Sequence, residues 1–395
     1  MSHLTRRDLL KISAALAAAA AGTLRKPGGL WAAAEKTDDP PVRIGYLPIT
    51  DATPLLVAHA RKLYEAEGLS VEKPRLFRSW AQIVEAFVSR QVNVIHLLSP
   101  TTVWVRYGTK FPGKIVAWNH LNGSALVSNH DIQTPAHFGG KTVAVPFWYS
   151  IHNIILQHVL RENGLTSVVQ ARAAGLGKQD VKLVVMAPQD MVPALANRSI
   201  AGYIVAEPFN ALAENLKTGK VLRFTGDVWK EHACCVVFMH EADLQQRKEW
   251  SQRVVNAIVK AQLWIRGNRD ATARLLAKDG EEHYTPHALP VLERVLTPGD
   301  DTGYIEQGAI RHVGWKSPRI DFQPYPYPSY TEQLIRLLKE TAVEGDAGFL
   351  RTLEPAFVAR DLVDDTFVKT AILQAGALKA FGLSEQFSRQ EAVEQ

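Results

Sequence analysis

Three loop-to-helix junctions carry the side chains best suited to hold a small charged solute. In Ser79-Trp80-Ala81-Gln82 a serine stands at a helix N-cap with a glutamine three residues on, the capping-box spacing. A helix start offers free backbone N–H groups and the positive end of the helix dipole, which suits an anion. Trp80 adds a flat wall and an indole N–H donor. The same residues also fit plain helix capping over a buried tryptophan. In Tyr149-Ser150-Ile151-His152-Asn153, Ser150 can cap, which leaves the amides of His152 and Asn153 pointing outward while the His152 ring donates. A lone first-turn histidine serves equally well as a structural residue. The third junction, Thr225 to His232, places Lys230 in a turn-rich loop, where a solvated surface charge is the ordinary reading.

Other chemistries find little support. The chain has no complete Gly-x-x-x-x-Gly-Lys-Ser/Thr loop, no His-Glu-x-x-His and no Gly-x-Ser-x-Gly elbow. His120, His152 and His158 lack metal-ligand spacing with cysteine or carboxylate partners. No metal, no cofactor and no catalytic residue is therefore expected. Glu207, in Val205-Ala206-Glu207-Pro208-Phe209-Asn210, reads as a buried carboxylate at a hinge or lobe contact, because no nucleophile or electrophile accompanies it. The only cysteines, Cys234 and Cys235, are neighbours whose side chains diverge, so they read as small buried strand residues without a disulfide.

The elements that must position these residues alternate between strand and helix. Val42–Leu47, Val92–Leu97, Lys141–Val145, Val181–Val185 and Gly202–Val205 read as strands. Helices are expected from Pro54, over Ile151–Asn163 with Gly164 in the left-handed closing position, and around Met191, Ala194 and Leu195. Such alternation implies parallel sheets with helices on their faces, and sites form where loops leave the carboxyl ends of strands. The polar stretch Asp131–Gly140 is the expected crossover between two lobes. Beyond Phe238 the chain turns helical, with apolar spacing at Val254–Leu263 and Leu334–Leu338 around the extended connector Pro324–Pro328.

The first 34 residues form an address. Arg6-Arg7 precedes the alanine-rich, uncharged run Ile12–Gly22, too short for a bilayer span of roughly 20 residues. Ala32-Ala33-Ala34 supplies a cleavage site, so a twin-arginine signal cut after Ala34 is expected. The lack of a cysteine near that triplet argues against a lipid anchor. This leader holds net +4 of the chain's formal +5, leaving the mature part near +1. No basic run or basic-aromatic stripe remains, which disfavours nucleic acid. With 46% hydrophobic residues in 395, the chain can bury a large core.

Several segments resemble the nitrate/bicarbonate branch of the substrate-binding proteins of ABC importers, a group that also takes up sulfonates. They are Gly45 to Leu55, Ser79-Trp80-Ala81, His96 to Pro100, Val205 to Asn210 and Trp229-Lys230-Glu231-His232, in family order across roughly residues 42–265. The resemblance implies an α/β, two-lobed periplasmic binding protein fold of the type II kind with the ligand cleft between the lobes. It implies lobe 1 from residues 35–139 and 240–395, lobe 2 from 140–239, and a non-catalytic monomer serving an ABC permease and ATPase. In nitrate-binding members a tryptophan, a glutamine, a histidine and a lysine hold the anion. The resemblance carries these onto Trp80, His152 and Lys230, with Ser124 at the glutamine position, and Ser79 and Glu207 nearby. Serine is shorter, which leaves room for a larger oxyanion or a small sulfonate. Lysine at 230, where bicarbonate-binding relatives carry a glutamate and calcium, implies an anion held without metal. The same fold also serves enzymes resembling thiamine-pyrimidine synthases, and a periplasmic anion sensor is the third reading.

Overall fold

The structure, a computed structural model, describes residues 39–170 and 175–394. The leader and its cleavage site lie outside the described residues. Thirteen strands follow in chain order: β1 (Ile44–Tyr46), β2 (Arg75–Leu76), β3 (Val94–Leu98), β4 (Gly113–Trp118), β5 (Leu121–Asn122), β6 (Ser124–Ser128), β7 (Thr142–Val145), β8 (Thr166–Val168), β9 (Asp180–Val185), β10 (Gly202–Ala206), β11 (Lys220–Phe224), β12 (Cys235–His240) and β13 (Ile320–Asp321). They build two main sheets, ordered β2-β1-β3-β12-β4 and β11-β6-β10-β7-β9-β8, with β13 pairing β5. The chain thus has the expected two-lobed α/β architecture.

Within each sheet a parallel set is flanked by antiparallel strands. β1 runs parallel to β2 and β3, while β12 enters antiparallel between β3 and β4. In the second sheet β10, β7, β9 and β8 are parallel and β6 is antiparallel to β10 and β11. All residues of β3, β10 and β12 are buried, as expected of central strands covered on both faces. That explains why they read as continuous apolar runs in the sequence.

The chain passes between the sheets earlier than the sequence suggested. β4 belongs to the first sheet and β6 to the second, so the outward crossing falls at Asn119–Gly123. The return falls before β12, which is a first-sheet strand. The expected lobe limits at 139/140 and 239/240 therefore do not follow the sheets. Asp131–Gly140 instead connects β6 to β7 inside the second sheet. In the Ser-Ala-Leu-Val-Ser run of β6 only three apolar residues stand between serines and they do not alternate with polar ones, which hid it as a strand.

The long helix Lys248–Gly267 packs against Thr53–Ala60 and Thr366–Gln374, which fastens the carboxyl-terminal helices to the first sheet. The connector around Pro324–Pro326 is extended and buried, as its composition suggested. No described helix is long and apolar enough to cross a membrane.

Candidate functional site

The junctions singled out in the sequence do form helix starts. Ser79 caps Trp80–Val88, its Oγ accepting from the Gln82 amide at 3.3 Å. The Gln82 side chain accepts from the Arg78 amide instead of closing the box on Ser79. Ser150 caps Ile151–Glu162 by accepting from the Asn153 amide at 3.0 Å, so that amide is occupied and not free for a ligand.

Trp80 is buried at the first turn, 2% exposed, and its ring lies 5.3 Å from that of His96 on β3. The Leu47 amide donates to His96 Nε2 at 2.9 Å. Burial, then the charge on His120, lowers the His96 ring to about 3, so it is neutral and its proton sits on Nδ1. His96 Nδ1 and Trp80 Nε1 are both buried without a hydrogen-bond partner. Two N–H donors thus stand unpaired beside each other in the interior.

Behind His96 lies a polar cluster at the point where the two sheets meet. Asp51, in the turn after β1, contacts His120 Nε2 at 3.0 Å and accepts from Cys235 Sγ at 3.1 Å. From the second sheet, Ser124 on β6 reaches His152 Nε2 at 2.9 Å. Cys234 Sγ lies 3.8 Å from Ser124 Oγ and 3.7 Å from His152 Nε2. Ser124, His152 and Cys234 therefore link lobes. Thr50 reinforces the junction, its amide and hydroxyl both donating to the Glu207 carbonyl.

The charges in this cluster lean on one another. Burial opposes charge on His120, but the Asp51 carboxylate outweighs it and lifts the ring to about 10. Burial raises Asp51 to about 6 against the pull of His120. Burial also pushes Cys234 up, yet the Cys235 thiol and the His152 and His120 rings overcome it and hold Cys234 well below the ordinary thiol range. Cys235 is driven well above that range by burial and by its neighbours Cys234 and Asp51. His232, whose Nδ1 lies 3.0 Å from the Trp229 carbonyl, is lowered to about 4 by burial.

Ser124 and His152 thus meet at Cys234, while Trp80 packs on His96, and Ser79 caps the helix that carries Trp80. Glu207 is fully buried and paired with Arg319 at 2.6 Å, a structural ion pair beside the junction. Lys230 stands apart. It is half-buried between β11 and β12, its amide donates to the Ala392 carbonyl, and its Nζ makes no described hydrogen bond or ion pair. A separate cavity of about 620 Å³ lies against Arg294, Tyr304 and Arg319, away from Trp80 and His152. Its arginines are taken up by Glu214, Glu207 and Asp321.

Sequence reasoning missed Asp51, His96 and His120, and passed over Cys234 and Cys235. Their spacing along the chain carried no signal, because Asp51 and Cys235 meet across 184 positions. The cysteines are free and buried, as expected of the pair, but they face a carboxylate and two imidazoles instead of apolar neighbours.

Residues 35–278 match the family model described as the NMT1-like family. Residues 3–23 match the model of the twin-arginine translocation signal sequence, and the chain is exported by that route. Among curated proteins it is similar to the nitrate/nitrite binding protein NrtA of a Nostoc strain, 23% identical over 322 residues, 75% of this chain and 70% of that one. Among solved structures it resembles the periplasmic nitrate-binding protein NrtA of Synechocystis, with a TM-score of 0.69 at 18% identity over 88% of this chain and 92% of that one. The zinc-bound ligand binding component of an ABC-type import system from Staphylococcus aureus gives 0.64 at 22% identity over 84% and 98%.

Proposed function

The chain belongs to the NMT1-like family, and from that premise we propose that it is the solute-binding component of an ABC importer that captures a small oxyanion or small sulfonate in the periplasm. The observation that carries the ligand class is the pair of buried, unpartnered donors, Trp80 Nε1–H and His96 Nδ1–H. A buried donor left unpaired costs about 1–3 kcal/mol, which an acceptor oxygen of the solute recovers. Neutral rings cannot bind an anion by charge, so selection rests on the two unpaired N–H donors and on the helix start at Ser79.

The remaining ligand-facing residues follow from position. Ser124 and His152 bring second-lobe groups to the same interior and close on the solute when the lobes come together. Lys230, two residues from buried His232, adds positive charge at the rim and steers anions inward. The partners are a permease and an ATPase of the inner membrane. Calorimetric titration of the mature protein with nitrate, nitrite, bicarbonate and short alkanesulfonates, beside neutral solutes of similar size, tests the reading. Saturable binding of one of the anions supports it. Binding of none, or equal binding of neutral solutes, overturns it.

A further inference from the structure

We propose that Asp51, His120, Cys234 and Cys235 form a binding site for a single thiophilic divalent cation of the zinc class at the floor of the lobe junction. One ligand atom from each residue lies within 4.8 Å of all the others, and all four residues are fully buried. A tetrahedral site with bonds of roughly 2.0–2.3 Å needs its ligand atoms about 3.3–3.8 Å apart, so only small adjustments are required. Two thiolates, an imidazole and a carboxylate form a set that selects zinc-like ions over calcium or magnesium, which take oxygen ligands.

Proton counting in the cluster supports a cation. His120 Nε2 lies 3.0 Å from Asp51 Oδ2 and 3.2 Å from the Cys235 amide. One nitrogen cannot both donate to the carboxylate and accept from the amide. Asp51 Oδ2 also takes the Cys235 thiol, while Asp51 Oδ1 and His120 Nδ1 find nothing at all. An ordinary hydrogen-bonded polar core would satisfy these atoms, each at a cost of about 1–3 kcal/mol when it does not. A cation accepts lone pairs from every one of the four residues at once.

The lobes divide the work. All four ligands come from first-sheet strands or the turns beside them, whereas Ser124 and His152 approach Cys234 from the second sheet. Those two residues are positioning groups that orient the thiolate. Because every ligand is buried, loading and release of the ion require the junction to open. This inference stands whether or not the bound solute is an anion.

The test strips the mature protein with a chelator and titrates it with Co²⁺ alone. One equivalent should produce a thiolate-to-cobalt absorption band and tetrahedral visible bands, and one equivalent of Zn²⁺ should abolish them. Cys234→Ser and Cys235→Ser should each weaken the band and lower affinity by about 100-fold or more. Ser124→Ala, which leaves all four ligands in place, should lower it by about 10- to 100-fold. Should the cysteine variants fail to fold, Zn²⁺ must still protect both wild-type thiols from alkylation in unfolding-free conditions. No thiolate band, substoichiometric uptake (an adventitious ion only), or no protection overturns the site. Anion titrations on the same chelated protein report on the solute-binding reading separately, so failure of one leaves the other standing.

Discussion

The Leu47 amide donates to His96 Nε2 at 2.9 Å, and this one bond fixes the proton of the buried ring on Nδ1. It thereby turns His96 from an ambiguous imidazole into a donor on a ring 5.3 Å from that of Trp80. A backbone contact thus sets the polarity of the proposed solute site.

Removing either donor while keeping an aromatic ring in place should weaken solute binding without unfolding the protein. Trp80→Phe and His96→Phe are each expected to lower anion affinity about tenfold, the worth of one hydrogen bond. Calorimetry on the anion that binds wild-type protein checks this. Unchanged affinity in both variants would take the pair out of the site.

Lys230 stands apart from the Trp80–His96 pair and its Nζ has no described partner, so any effect on the proposed solute should come through the field and not through contact. Lys230→Ala is expected to lower affinity by a few-fold and to flatten its dependence on ionic strength, since screening acts over about 10 Å at 0.1 M salt. Titrations at low and high salt distinguish this from a direct ligand, whose loss would persist at high salt.

Glu207 and Arg319 form a buried pair beside the Thr50 contact, with Glu214 as a second acceptor. Arg319→Leu leaves the Glu207 carboxylate buried without its partner. Loss of about 3–5 kcal/mol of unfolding free energy is expected in denaturant titrations. A change below about 1 kcal/mol would mean that water already screens the pair.

His240 stacks on Phe87 at 3.9 Å, and burial, reinforced by Arg90, lowers it from 6.5 to about 4. Arg43 also disfavours its charge, while the Val92 carbonyl and Asp243 favour it. The unfolded chain therefore takes up this proton first on acidification. The contribution is intact above pH 6.5 and is lost as pH falls towards 4, by up to about 3 kcal/mol. His240→Phe should show a shallower fall of unfolding free energy over that interval. An unchanged slope would place the acid sensitivity in other buried histidines such as His232.

Much of the fold was legible because local patterns decide it. The apolar runs at β1, β3, β7, β10 and β12 appeared where the chain places strands, since covered strands need apolar residues on both faces, and β9 showed through its alternating buried Val181 and Leu183. Ser79 and Ser150 announced helix starts because capping acts over three residues. The twin-arginine leader was equally local. Strands β5, β6 and β11, in which polar or charged residues interrupt the apolar run, left no such trace, and with them went the crossing at Asn119–Gly123.

The site followed a different rule. Residue types, helix starts and the family resemblance that groups Trp80, Ser124 and His152 can be read along the chain. That Asp51, His120, Cys234 and Cys235 lie side by side, and that Lys230 lies beside the carboxyl-terminal tail, emerges only once the chain is folded. Range explains the difference. Periodicity and capping report on neighbours a few residues apart, whereas β12 enters the first sheet from the far side of the second lobe and carries its cysteines to a turn 184 positions earlier.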